Sequence, residues 1–225
     1  MNFLSHFYFD RHNNDPNLVL GTVLPDLVKN ARKDWNLHPE KKEDLFTNQF
    51  ELSILKGWKR HLAVDRHFHN SDFFIRHTGA IRLLIAPVLV SSPVRPSFLA
   101  HIALELMLDS LLLTDSIIDA EDLYANLRRS DRPALTNFLQ LNLMDDLPHF
   151  LKFFDKFLEI SYLNSYRDTH NIMYALNRIC LRVWPDPLSE TQILQLSATL
   201  IGYHENLEKC YLEIFTEIES ILVES

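Results

Sequence analysis

Glycine is the residue this chain can least rely on: there are four in 225 residues, against 15 phenylalanines and abundant leucine. Tight hairpin turns need positions that tolerate positive φ, which glycine supplies at little cost. A sheet of many strands is therefore hard to build from this sequence, whereas leucine-rich helices are not restricted. The expectation is an all-α protein. With 47% hydrophobic and 23% charged residues the chain can bury one large core. No repeat, low-complexity tract or linker divides it, so a single compact bundle spanning 1–225 is expected, with about nine helices.

Net charge is -8 with pI near 5.7, which disfavours a nucleic-acid partner bound by neutralising many phosphates. Cys180 and Cys210 are too few for a disulfide framework or a thiolate zinc site and suit a reducing cytoplasm. The opening Met1-Asn2-Phe3-Leu4-Ser5-His6 lacks the basic and apolar regions of a secretory signal. The longest apolar candidate, Ala80 to Val90, is broken by Arg82 and Pro87 and falls short of the roughly 20 residues that span a bilayer. A cytoplasmic protein without membrane insertion is the expectation.

Helix signals punctuate the chain. Phe3, Leu4, Phe7 and Phe9 suggest a short helix carrying His6, and Asp15-Pro16 reads as a cap followed by a first-turn proline. One long helix is expected from about Glu40 to Phe68, then a second from Ser71 to Leu89 with Phe73, Phe74, Ile75, Ile81, Leu84 and Ile85 toward the core. Phe98 to Leu113 is apolar almost all round and reads as a buried helix. Asp119, Arg132-Pro133, Met144 and Tyr166-Arg167-Asp168 introduce further helices. A last helix runs from Ser189 toward Val223, with a break near Gly202. Asp145 and Asp146 suit a helix start or a solvated turn.

Two rows of ionisable groups stand out. In the first, His61, Asp65 and His69 are spaced four apart and share one helix face. His61 and His69 are separated by about 12 Å of rise, too far to bind one ion from a single helix. His61 and Asp65 therefore read as a ligand pair, with His69 left for a second ion, a substrate phosphate or no ligand. The second row is His101, Glu105 and Asp109 on the apolar helix, where unpartnered polar groups cost about 1–3 kcal/mol each. Glu105 either belongs to the site or orients a ligand imidazole. With Asp26 and His6, these residues suit a divalent ion held by imidazole and carboxylate, hence metal-assisted hydrolysis. The alternative is ordinary: such pairs also occur on solvated faces, and 11 histidines will cluster somewhere. His12, His38, His77, His149, His170 and His204 have polar neighbours and read as surface residues. No Gly-x-Ser-x-Gly elbow, glycine-rich phosphate loop or local Cys–His signature is present.

Several of these motifs, in order, resemble the bacterial acyl carrier protein phosphodiesterases. They are Met1 to His6, Gly21-Thr22-Val23-Leu24-Pro25-Asp26, Gly57-x3-His61-x3-Asp65, the apolar helix with Asp109, and Tyr166-Arg167-Asp168 before a helix with Arg178 and Arg182. The resemblance implies a helical fold distantly similar to HD-domain phosphohydrolases and a manganese-dependent site. It also implies hydrolysis of the phosphodiester that joins 4′-phosphopantetheine to holo acyl carrier protein. His6, Asp26, His61, Asp65 and Asp109 match the family's pattern. Three positions depart from it: His69 and Glu105 replace aspartates, and Ser110 replaces a histidine for which His101 would substitute.

On this view Asp26, His61, Asp65 and Asp109 hold the ion, a bound water attacks phosphorus, and His69 or His101 assists. Lys59, Arg60 and Arg66, with Lys56, Arg76 and Arg82, flank the site and would contact the acidic carrier protein. Two other readings are a related hydrolase acting on a nucleotide or other small phosphodiester, and a catalytically silent helical protein that binds a partner through its basic residues.

Overall fold

The computed structural model describes residues 1–224. It is all-α: the described residues form eleven α-helices and short 3-10 turns, with no strand among them. In chain order the helices are α1 (Phe3–Tyr8), α2 (Pro16–Ala31), α3 (Gln49–Asn70), α4 (Asp72–Ile85), α5 (Pro96–Thr114), α6 (Ala120–Arg129), α7 (Arg132–Leu141), α8 (Leu147–Ile160), α9 (His170–Cys180), α10 (Glu190–Leu207) and α11 (Leu212–Glu224). The described residues divide into two compact units, residues 1–66 with 118–164, and 67–117 with 165–224.

In the first unit α2 is the central element, with α1, α6 and α8 packed on it. It starts where Asp15 Oδ1 accepts the backbone N–H of Asn17 at 2.9 Å, with Pro16 in the first turn. Such caps are worth about 1 kcal/mol. Its buried face carries Leu20, Val23, Leu24 and Leu27, all fully inaccessible. Two of the four glycines mark the point where α2 meets α3. A Cβ on Gly21 would overlap the Ile54 carbonyl oxygen and stand 2.9 Å from Gly57 Cα, and one on Gly57 would overlap the Leu18 carbonyl oxygen. At this crossing the two backbones touch.

The helix expected from Glu40 begins instead at Gln49, after 3-10 turns at Pro39–Lys41 and Glu43–Leu45. Asn48 starts it, its side chain accepting the Phe50 N–H at 2.8 Å and its carbonyl the Leu52 N–H at 3.0 Å. Asp146 caps α8 through the His149 N–H, while Asp145 binds Arg32 and Trp35 Nε1.

In the second unit α4 and α9 pack on α5, and α10 packs on α4 and α9. Among the described residues α5 is the one helix long and apolar enough to cross a membrane, with mean hydropathy 1.5. This corrects the emphasis on Ala80 to Val90. Two thirds of α5's most apolar stretch is buried inside the protein, as in the core helix of a globular unit (67%).

Four further expectations are corrected. The helix from Ser71 stops at Ile85, where Pro87 forces a 3-10 turn over Ala86–Leu89. Ile75 and Leu84 are exposed, because the four-residue spacing of Phe73, His77, Ile81 and Ile85 sets the buried face of α4. Gly202 lies inside α10 with helical φ, and the break comes after Leu207. His77 and His204 are buried, because helices of the same unit supply their partners. His77 Nδ1 lies 2.7 Å from the Tyr203 hydroxyl. His204 Nε2 lies 3.2 Å from Ser110 Oγ, which donates to the Tyr166 carbonyl at 2.7 Å. Burial lowers the pKa of both rings.

The glycine crossing predicts an asymmetry in unfolding experiments. Gly57→Ala must push two backbones apart and should cost about 3 kcal/mol or more, the upper end of overpacking. Gly79→Ala and Gly202→Ala, whose Cβ atoms would meet nothing within 4 Å, should be neutral or stabilise by up to about 1 kcal/mol. Urea denaturation of the three variants measures this, and equal effects would contradict the crossing.

Candidate metal centre

The first unit gathers His6, His61 and Asp65 into one group of mutually close ligand atoms. α1 delivers His6, and α3 delivers the other two one turn apart, His61 itself one turn past Gly57. His6 Nε2 is 3.2 Å from Asp65 Oδ1, and His61 Nε2 is 3.5 Å from Asp65 Oδ2. The two imidazoles stack with centroids 3.8 Å apart. Both are buried, while 29% of the Asp65 side chain is exposed, so access from solvent passes the carboxylate. The amino nitrogen of Met1 also lies 2.7 Å from Asp65 Oδ1.

The other ring nitrogen of His61 sets its chemistry. His61 Nδ1 is 2.8 Å from the backbone carbonyl of Thr22, the residue next to Gly21. A carbonyl only accepts, so Nδ1 must carry the proton. Burial lowers the pKa of His61 well below that of a free imidazole, with the charge of His6 acting in the same direction. The ring is therefore neutral, and Nε2 turns a lone pair toward the Asp65 carboxylate. Asp65 itself is anionic. Burial would raise its pKa, but the hydrogen bond and charge of His6 and the Met1 amino group together hold it far below the usual carboxylate range. Nearby lone pairs on a neutral imidazole and a carboxylate repel each other unless a cation lies between them.

The second unit holds another group: His69 from the end of α3 with His101 and Glu105 from α5. The two rows read from the sequence are thus redistributed. His61 and Asp65 go with His6, while His69 goes with His101 and Glu105, in keeping with the separation of His61 and His69 along one helix.

Asp26 is half-buried on α2, one turn beyond Thr22, and is not part of the His6–His61–Asp65 group. Asp109 is fully buried on α5 and is not part of the His69–His101–Glu105 group. Arg60 binds the buried Asp10 carboxylate at 2.7 Å, and Lys59 binds Glu43 at 2.5 Å, so both have partners on the protein. Arg66 is exposed. Ser110 is approached by His204 rather than by His101, whose Nε2 faces Glu105. Sequence reasoning missed the Thr22 carbonyl, for which no side-chain signal exists, and His204, whose i−4 and i+3 neighbours Leu200 and Leu207 hinted at a buried face.

The chain matches no protein-family model, no curated protein and no solved structure in the comparisons made.

The tautomer can be measured. Imidazole 15N shifts should show His61 with a protonated Nδ1 and a bare Nε2 at about pH 6.5, where a free imidazole is half protonated. A protonated Nε2 would contradict the Thr22 assignment.

Proposed function

We propose that this chain is a metal-dependent phosphodiester hydrolase that releases 4′-phosphopantetheine from holo acyl carrier protein. One observation carries the metal part: the buried His61 sets Nδ1 2.8 Å from the Thr22 carbonyl and Nε2 3.5 Å from the Asp65 carboxylate, with His6 stacked beside it. The substrate part rests on the resemblance of the sequence motifs to the carrier-protein phosphodiesterases, as do the HD-like relationship and the choice of manganese; a cytoplasmic setting rests on the low cysteine content.

His6, His61 and Asp65 would hold the ion, and Asp26 would offer a further oxygen from the same stretch of α2 that carries Thr22. When bound, a divalent ion lowers the pKa of a coordinated water and neutralises phosphoryl oxygens. His6, whose Nε2 faces Asp65, must give up a proton on that nitrogen to become a ligand, so binding should release protons. Water adds to phosphorus, the bond from phosphorus to the carrier-protein serine oxygen breaks, and that oxygen leaves as the serine hydroxyl. Arg66 lies one residue from Asp65, on the exposed side of α3 where an anionic substrate would arrive.

The Met1 amino group beside Asp65 favours a second reading. A cation of the chain already balances the carboxylate, and the group is then structural.

The test uses the full chain stripped of metal and resupplied with Mn2+, with carrier-protein mass as the readout. Loss of the phosphopantetheine mass is expected, and His61→Ala should reduce it by about 100-fold or more, as for removal of a metal-supporting residue, with unchanged circular dichroism. Turnover confined to nucleotide phosphodiesters would remove the carrier protein as substrate. No Mn2+ binding and no turnover would leave the structural reading.

A further inference from the structure

The second unit contains a triangle of atoms that lies outside the His6–His61–Asp65 group. His69 Nε2 lies 3.2 Å from His101 Nε2 and 3.4 Å from Glu105 Oε1, and His101 Nε2 lies 3.0 Å from that same oxygen. Ligand atoms about 2.0–2.1 Å from a shared ion stand about 2.9–3.4 Å apart, from octahedral right angles to the wider tetrahedral angle. All three edges fall in that interval.

Hydrogen bonding alone serves this triangle poorly. The carboxylate oxygen only accepts, and each Nε2 is about as close to the other Nε2 as to that oxygen. If both rings donate to Oε1, their two N–H groups crowd into one narrow sector. If one does not, its lone pair points at the carboxylate. A divalent cation satisfies all three lone pairs at once.

The rings are also held in place. Phe74 packs edge-on against His69 and His101, at 5.0 Å in both cases, and Phe68 lies 5.2 Å from His69. Glu105 is largely buried at 15% exposure, whereas His101 is 41% exposed. Open coordination positions would therefore lie on the His101 side. His101 lines a groove of ≈ 580 Å³ with Arg95, Ser97, Phe98 and Trp184, through which an exogenous ligand could reach the ion.

We propose that His69, His101 and Glu105 form a binding site for a first-row divalent transition-metal ion, with two imidazoles and one carboxylate on one face and the remaining positions open. The assignment stands independently of the His6–His61–Asp65 centre and of the hydrolase reading.

The test titrates the full metal-free chain with Zn2+ by calorimetry and with Co2+ by visible absorption. The chain carrying His61→Ala should still bind one ion. Adding Glu105→Gln, an isostere that keeps the packing, should weaken that ion by about 100-fold or more. His101→Gln, at a half-exposed position, should do the same and serves as the second variant should Glu105→Gln fail to fold. Failure of the His61→Ala chain to bind Zn2+ would overturn the proposal, as would binding that neither substitution weakens. One ion bound by the unsubstituted chain, kept by His61→Ala and lost with Glu105→Gln, would support this site while removing the His6–His61–Asp65 centre.

Discussion

The contact between the backbones of Gly21 and Gly57 supports the arrangement of the whole His6–His61–Asp65 group. With no Cβ on either residue, α2 and α3 approach until the Leu18 and Ile54 carbonyls lie against the facing helix. That spacing brings the Thr22 carbonyl within 2.8 Å of His61 Nδ1. A methyl group at the crossing would hold the helices apart, and the ring would lose the acceptor that fixes its proton. The electrostatics then follow from burial. A neutral His61 cannot donate from Nε2, so the Asp65 carboxylate and the imidazole lone pair share a space that calls for positive charge.

The same construction occurs in each unit. A histidine and an acid one turn apart on one helix, His61 with Asp65 and His101 with Glu105, are joined by a histidine from another element, His6 or His69. The i, i+4 spacing places two donors on one face, and a third donor from elsewhere closes the triangle. The two groups differ in access. The first buries both imidazoles and exposes its carboxylate, whereas the second buries its carboxylate and exposes its imidazoles. A ligand would approach the first past a carboxylate and the second past imidazole rings. The apolar residues of α5 give Glu105 a low-dielectric setting in which charge–metal interactions are strong.

Much of this was legible in the sequence, and the unread parts share a cause. The scarcity of glycine pointed to helices, and the caps at Asp15, Ser71, Asp119 and Ser189 lie where their side-chain chemistry placed them. Rise along the helix separated His61 from His69 before any coordinates. The tertiary partner of each group was not legible. Nothing near His69 in sequence indicates His101. The Thr22 carbonyl is a backbone atom with no residue-type signature. His77 and His204 sit among polar neighbours yet are buried by helices distant in sequence. Gly21 and Gly57 appeared within motifs, but their mutual contact is a property of two helices that no single window contains. The start of α3 was missed because Phe46, apolar and buried, continues the apolar pattern on extended backbone past the last 3-10 turn.

The central claim is that His61 Nε2 and the Asp65 carboxylate face each other because a cation belongs between them. Anomalous diffraction at the manganese edge, from crystals grown with Mn2+, tests it most directly. The account predicts a peak about 2–2.5 Å from His61 Nε2 and from an Asp65 oxygen, with Nδ1 still bonded to the Thr22 carbonyl. Absence of a peak there, or a His61 ring turned so that Nε2 meets Thr22, would contradict it.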